Sequence, residues 1–163
     1  MENLTFFLFL NPGFKFTFYL RKINNSNRVM RIFYKLFYRG MMKKYRFQIQ
    51  HQVVIKEGFY IGHFGRIIVN HRVVIGKKVN ISTEVTIGQS NRGKKEGIPI
   101  IGNEVWIGTN AVIVGKIKIR NNVLIAPNSY VNFDVPDNSV VIGNPGKIIF
   151  NEEATQGYIN NKI

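Results

Sequence analysis

Aliphatic side chains recur at every sixth position over most of the chain, and this spacing constrains the fold more than any other feature. The longer series is Val69, Ile75, Ile81, Ile87, Ile101, Ile107, Ile113, Ile119, Ile125 and Val131. A shorter set precedes it, offset by two residues: Ile55, Ile61 and Ile67. Neither the helical period of 3.6 nor the strand period of 2 produces this spacing. Six residues can form one flat strand and one corner, so three repeats close a triangular coil of about 18 residues whose turns stack as parallel strands.

The repeat therefore predicts an all-β domain, a parallel β-helix, over residues 51–150. Its rhythm breaks once, where "GQSNRGKKEGIPI" (88–100) predicts a polar loop outside the coil. Residues 135–150 predict an exit segment that folds back along the last coil, and 151–163 form a C-terminal tail without a clear signal. An ordinary β-sandwich with irregular strands is the alternative fold.

Residues 1–50 differ in composition and predict a short aromatic, basic helical segment. They hold ten Lys and Arg against one Glu, which is +9 of the net charge of +14. An apolar face (Met30, Phe33, Tyr34, Phe37) and a basic face (Arg31, Lys35, Arg39) follow helical spacing. Such a charge attracts anionic partners. Two roles stay open: the helix contacts the inner membrane surface, or it caps the β-helix and hides Phe33 and Phe37 within an oligomer.

The sequence gives no sign of a membrane-spanning or secreted protein. The apolar run "LTFFLFL" (4–10) is too short to span a bilayer and lacks the basic region and cleavage site of a signal peptide. The chain has no Cys, which excludes disulfides and thiol nucleophiles. We expect a cytoplasmic protein, with a peripheral membrane contact left open.

Four motifs resemble the serine acetyltransferase branch of the hexapeptide-repeat acyltransferases, and within it the short members found in capsule and exopolysaccharide gene clusters. They are "IGHFGRIIVN" (61–70), "VNISTEVTIGQSNRGKKEGIPIIG" (79–102), "VWIGTNAVIVGKI" (105–117) and "IGNPGKII" (142–149). The resemblance covers residues 45–150. It implies a left-handed β-helix, acetyl-CoA as co-substrate, and a homotrimer that binds acetyl-CoA in grooves between neighbouring subunits, walled in part by the loop.

Acetyl transfer to a hydroxyl needs a base for the alcohol proton, donors for the oxyanion, and an acid for the leaving thiolate. One imidazole can act as base and then acid, and backbone N–H groups can stabilise the oxyanion. Of the three His (His51, His63 and His71), His63 stands at the catalytic position of the matching motif, although a structural corner His is the alternative. The serine enzymes orient this ring with an upstream Asp, which is missing here. Gln50, Glu57 or a backbone carbonyl would take its place.

The same resemblance implies which residues bind acetyl-CoA, because the pantetheine arm lies along the β-helix backbone in this family. The lining positions are Gly88, Gly108, Thr109 and Ala126. Lys147 matches a basic position near the nucleotide, with Arg92, Lys94 and Lys95 of the loop as rival phosphate contacts. No metal site is expected.

The charged residues that this chain lacks indicate which acceptor it uses. A serine site pairs the substrate ammonium and carboxylate with charged groups. The serine enzymes place Asp before the catalytic His and an Arg-His pair in the loop, whereas this chain has Gly62 and Gly97-Ile98 there. These differences favour a saccharide hydroxyl in surface polysaccharide biosynthesis. The alternative is serine O-acetyltransferase of cysteine biosynthesis.

Two other classes are weaker. A zinc carbonic anhydrase needs three His around one metal, and no pair of ligands on a second coil matches this. A non-catalytic scaffold or nucleic-acid binder would fit the basic N-terminus, but no nucleic-acid motif is present. We expect no nucleic-acid partner.

Overall fold

The structure is a computed structural model that describes residues 11–159, so the "LTFFLFL" segment lies outside the described residues. Two helices come first, α1 (Pro12–Asn25) and α2 (Arg28–Tyr45). The described strands follow: β1 Phe47–Ile49, β2 Val54–Ile55, β3 Tyr60–Ile61, β4 Ile67–Val69, β5 Val74–Ile75, β6 Asn80–Ile81, β7 Thr86–Gly88, β8 Ile100–Ile101, β9 Val105–Ile107, β10 Val112–Val114, β11 Lys118–Ile119, β12 Val123–Ile125, β13 Tyr130–Val131, β14 Ser139–Ile142 and β15 Lys147–Phe150.

The strands form three sheets, and the chain visits them in rotation. Sheet A contains β1, β4, β7, β10 and β13; sheet B contains β2, β5, β8 and β11; sheet C contains β3, β6, β9, β12, β14 and β15. Every pairing is parallel except that of β14 with β15. This architecture confirms the predicted parallel β-helix. The turn back from β14 into antiparallel β15 confirms the predicted exit segment.

The sixfold aliphatics fill the inside of the coil. Each predicted position is buried, and residues of successive coils stack in register, as with Ile61, Ile81, Ile107 and Ile125 in sheet C. Burying one such side chain stabilises the fold by about 1.5–3 kcal/mol. The repeat is therefore a packing requirement, because every coil has to present an aliphatic on each inner face.

The corners explain why the chain is rich in Asn. Asn110, Asn122, Asn128 and Asn138 all adopt left-handed backbone angles, with φ between 51° and 60°, a region that Asn tolerates better than most residues. Their side chains also bond between coils: Asn110 donates to Asn128 at 2.8 Å, and Asn122 donates to Asn138 at 2.7 Å.

The predicted amphipathic helix is confirmed as α2, and within one chain the side chain that it buries is Tyr38, which is outside the predicted apolar face. Both helices begin with an Asn cap, Asn11 and Asn27, whose side chains accept from backbone N–H groups. On α2, Tyr38 is buried and donates to the Ile49 carbonyl at 2.7 Å. Phe33 and Phe37 are 59% and 50% exposed. Neither helix of the described part is long and apolar enough to cross a membrane.

The C-terminal tail, which carries no clear sequence signal, packs across the outer face of sheet C. The rings of Trp106 and Tyr158 lie 4.7 Å apart, and the Asn80 amide donates to the Tyr158 carbonyl at 3.0 Å. Thr155 donates its backbone N–H and its hydroxyl to Asn122, at 3.2 and 2.7 Å. These contacts join residues far apart in sequence, and periodicity cannot reveal them.

Candidate active site

One edge of the prism, called here the histidine edge, is made by the turns that connect sheet C to sheet A. Four turns make this connection, residues 62–66, 82–85, 108–111 and 126–129; a fifth turn at the same edge, residues 143–146, leads from β14 back into β15 of sheet C. Hydrogen bonds between coils hold this edge together: the N–H groups of Gly62, Ser82, Gly108 and Ala126 donate to carbonyls of the next coil at 2.8–3.1 Å. His63 lies in the first of these turns.

Counted between inward-facing residues that pair in register, the connection that carries His63 is two residues longer than those of the following coils. Ile61 and Val69 are inward-facing neighbours eight residues apart, whereas Ile81 and Ile87, Ile107 and Ile113, or Ile125 and Val131 are six apart. The two-residue offset in the sequence repeat is thus an enlargement of this single corner. It projects His63 and Phe64 into solvent, and both are exposed.

The enlarged turn is anchored on both sides of His63. Gly62 donates to the Ile81 carbonyl at 3.1 Å. Arg66 donates its backbone N–H and its guanidinium Nε to the carboxylate of Glu84, each at 3.1 Å. Gly65, with φ 151°, sits so close to Thr83 that an added Cβ would lie 2.0 Å from Thr83 Oγ1. The turn is held in place while the imidazole makes no hydrogen bond to any described residue.

The end of α2 also touches this turn. The rings of Tyr45 and Phe64 lie 5.9 Å apart, and the Arg46 carbonyl accepts from the N–H of Ile67 at 3.4 Å. The helical segment is therefore packed against the candidate site as well as against the first coil.

Comparison with known proteins identifies the coil. Residues 98–132 match the family "Bacterial transferase hexapeptide (six repeats)". Residues 98–132 carry this hexapeptide repeat. Serine acetyltransferase from Staphylococcus aureus is 36% identical over 95 residues, which cover 58% of this chain and 45% of that protein. Serine acetyltransferase 4 of Arabidopsis thaliana is 35% identical over the same length, covering 58% of this chain and 27% of the relative.

Solved structures agree on the fold. The soybean serine acetyltransferase apoenzyme superposes with a TM-score of 0.68 at 26% identity, covering 83% of this chain and 55% of that one. The matched part of this chain spans less than half the length of the two curated relatives above, and 55% of the solved soybean chain.

Three of the predicted acetyl-CoA positions of this hexapeptide β-helix lie on the histidine edge. Gly108 and Thr109 are in its third turn and Ala126 is in its fourth. A Cβ on Gly108 would lie 2.6 Å from the Pro127 nitrogen, so close coil packing already requires glycine there. Ala126 lines a cleft of about 550 Å³ between sheet C and the tail.

Two further predicted positions, Gly88 and Lys147, lie outside these turns. Gly88 ends β7, where the chain leaves sheet A on the side facing the loop. Lys147 begins β15 directly after the last turn of the histidine edge; it is exposed and has no ion-pair partner among the described residues. Lys147 is free to meet a phosphate. Gly88 is separated from His63 by the width of sheet A.

The predicted loop is present and lies on the opposite edge of sheet A, between β7 and β8. Ser90 and Gly97 pair across it as an antiparallel bridge, and the Lys95 carbonyl accepts from Lys116 at 2.8 Å. Lys95 also pairs with Asp134 at 2.9 Å, and this hydrogen bond lowers the pKa of Asp134 below its usual value. Lys95 is therefore engaged within the chain, which leaves Arg92 and Lys94 as the loop's phosphate candidates.

Gln50 and Glu57, two of the groups predicted to orient His63, do not lie on the histidine edge of the same chain. Each face of the coil takes about six residues, so positions 50, 57 and 63 fall on three different edges. Gln50 lines a cleft beside Lys35 and Arg39 on the loop edge. Glu57 pairs with Lys77 at 2.6 Å on the edge between sheets B and C. The carboxylate that does approach the His63 turn is Glu84, which the sequence analysis missed.

The three His do not converge. His51 and His71 follow strands of sheet A on the loop edge, away from His63. Among residues 11–159 no group of three or more His, Cys, Asp or Glu side chains is arranged to hold a metal ion. The geometry therefore offers no zinc-type centre in the described part of the chain.

Proposed function

We propose that this chain is an acetyl-CoA-dependent O-acetyltransferase of the serine acetyltransferase type, with His63 as general base. The observation that carries the proposal is the enlarged, anchored turn that presents a solvent-exposed imidazole on the histidine edge. The S. aureus and Arabidopsis relatives, which bear the name serine acetyltransferase, support the same chemistry.

In this mechanism His63 takes the proton of the acceptor hydroxyl as its oxygen attacks the thioester carbonyl carbon. Backbone N–H groups stabilise the oxyanion that forms. The carbon–sulfur bond then breaks, and the imidazolium returns its proton to the CoA thiolate. One imidazole can serve both steps because the side chain exchanges protons near neutral pH.

The co-substrate would lie along the histidine edge. Coils of a β-helix stack about 4.8 Å apart, so the fifth turn, next to Lys147, is roughly 19 Å from the first, with His63. This is an extended track suited to the long pantetheine arm, with Gly108, Thr109 and Ala126 along it. Lys147 at its far end would meet a phosphate of the nucleotide as a point charge. Gly88 would contribute from the loop side of a groove.

The grooves of a homotrimer would unite these parts. His63 and the loop occupy two different edges of sheet A in one chain, so a site walled by both requires a second copy. The resemblance to trimeric relatives supports this assembly. Residues 51–150 would then form the transferase unit, with 1–50 and 151–163 as its flanking segments.

The relatives favour L-serine as the acceptor, whereas the missing charged residues favour a saccharide. Soybean serine acetyltransferase has been solved in complex with serine, at 26% identity to this chain and a TM-score of 0.68. Arg66 and Glu84 also place one positive and one negative group beside the His63 turn, although they are paired to each other. A serine zwitterion needs both charges.

A saccharide hydroxyl remains the second candidate. The supporting observation is Gly62, which leaves no side chain directly before His63 where the serine enzymes carry Asp. A neutral sugar requires no such charge. Members of the capsule and exopolysaccharide branch of the family would act on acceptors of this kind.

Free-CoA release from acetyl-CoA tests both candidates in one assay. The purified chain is given L-serine, nucleotide sugars and oligosaccharides in parallel. Release with serine above the acceptor-free rate supports the first candidate, and release with a saccharide alone supports the second. No release with any hydroxyl acceptor, from a protein with normal melting behaviour, contradicts the proposed function.

A further inference from the structure

Helix α2 has a second apolar face that the fold leaves uncovered. Val29, Ile32, Phe33 and Leu36 follow the i, i+3, i+4, i+7 spacing and are 59–75% exposed. Phe37 extends this face, stacking on Tyr19 at 5.6 Å while half exposed. We call these five α2 residues the exposed face. A contiguous apolar patch on an otherwise polar surface marks a contact with a partner.

Cations lie along one side of the exposed face and at its C-terminal end. With about 100° per residue in a helix, Arg28 and Arg39 fall along one margin, while Lys43 and Lys44 fall on the same side of the helix as the face, beyond Phe37. No Asp or Glu occurs between residues 3 and 56. None of the five ion pairs among the described residues involves a residue before Glu57. These positive charges are therefore not neutralised within the described chain.

A basic cleft continues the same surface toward the β-helix. It has a volume of about 230 Å³ and is lined by Lys35, Arg39 and His51 among others. Partial burial, and then the charges of Lys35, Arg39 and Arg31, lower the pKa of His51. The cleft is a positive environment that suits a phosphate group.

A lipid surface fits these features better than a second copy or a nucleic acid. Residues 1–50 carry +9 of the net charge of +14, so a second copy seated on the exposed face through its own residues 1–50 would meet like charge. A nucleic acid would satisfy the cations but not five large apolar side chains. An anionic bilayer satisfies both, since cations meet headgroups and apolar side chains enter the acyl boundary.

We propose that α2 lies on an anionic phospholipid surface, with the exposed face inserted and Arg28, Arg39 and Lys43 at the headgroups. The contact between Tyr45 and Phe64 connects this helix to the His63 turn. A bound chain would therefore hold His63 close to the bilayer. Lipid binding itself is independent of the proposed acetyl transfer.

The test is flotation of the full chain with vesicles of phosphatidylcholine alone and with added phosphatidylglycerol. The wild type should float with the anionic vesicles and much less with the neutral ones, and added salt should weaken the binding. The double variant Ile32→Ser, Leu36→Ser should bind at least about tenfold more weakly, because inserted apolar area sets the affinity. The matched control Ile149→Ser, Phe150→Ser changes two exposed side chains of β15 and should bind normally.

A second variant keeps the test decisive if the serine variant misfolds. Arg28→Gln with Lys43→Gln alters exposed side chains only and should lower binding to anionic vesicles by about tenfold. Equal flotation with neutral and anionic vesicles, or none with either, overturns the proposal. Two further results overturn it. One is a loss of oligomers in the serine variant when the wild type binds no lipid. The other is binding of the wild type to a DNA duplex that the serine substitutions do not weaken. CoA release is measured separately and does not enter this result.

Discussion

Arg66 binds both carboxylate oxygens of Glu84, one through its backbone N–H and one through its guanidinium Nε, at 3.1 Å each. This pair ties the turn that holds His63 to the next coil. Both side chains are partly exposed, 52% and 37%, so the pair adds little to the free energy of unfolding. Its importance is positional, because it restricts where the imidazole can lie.

Replacing Glu84 should therefore reduce activity more than stability. We expect Glu84→Gln to lower CoA release about tenfold, since small misplacements of a catalytic group are costly, while unfolding changes by less than about 1 kcal/mol. Asp137→Asn is the matched control, because it weakens a pair with Arg120 on another edge and should leave turnover near normal. Equal losses of activity in both variants would contradict a positioning role for Glu84.

The two extra residues of the His63 turn can be removed. Deleting Phe64 and Gly65 restores the six-residue spacing between Ile61 and Val69, so the β-helix should still form. CoA release should fall by at least about a hundredfold because His63 is displaced. Phe64→Ala, which keeps the turn length, should retain most of the activity. Thermal melting and CoA release on the same samples measure this, and full activity after the deletion would refute the geometry.

Tyr38 joins α2 to the first coil. Its buried hydroxyl donates to the Ile49 carbonyl at 2.7 Å, and burial raises the pKa of Tyr38 far above its ordinary value. Tyr38→Phe should lower the free energy of unfolding by about 1–2 kcal/mol, because a buried carbonyl loses its donor. Tyr34→Phe changes a less buried hydroxyl and serves as the comparison in urea titrations. An unchanged Tyr38 variant would show that this bond does not hold α2 in place.

His51 should make stability depend on pH. Partial burial, with Lys35, Arg39 and Arg31 nearby, lowers the pKa of His51, so the unfolded chain binds a proton at a pH where the folded chain does not. Stability should then decrease as pH falls below the ordinary His value of about 6.5. His51→Gln should flatten this part of the melting-temperature profile. The effect is modest because His51 is only partly buried.

The coil could be predicted from the sequence, but the structure of the turns at its edges could not. The aliphatics from Val69 to Val131 predicted every inner face correctly, because a repeat in sequence is a repeat in packing. The offset before Ile67 was visible, yet only the register shows that it enlarges the turn of His63. The Glu84 pair and the Trp106–Tyr158 contact join distant residues without any periodic signal. The exposure of Phe33 and Phe37 could not be predicted, because α2 has two apolar faces and the sequence does not show which of them packs against the rest of the chain.

The most direct measurement is CoA release by His63→Ala with its best acceptor, alongside His71→Ala as the control on the opposite edge of sheet A. His63 is exposed and makes no hydrogen bond to any described residue, so its replacement should leave the melting temperature unchanged. We predict at least about a hundredfold slower turnover for His63→Ala and near-normal turnover for His71→Ala. Near-normal turnover by a folded His63→Ala protein would contradict the account.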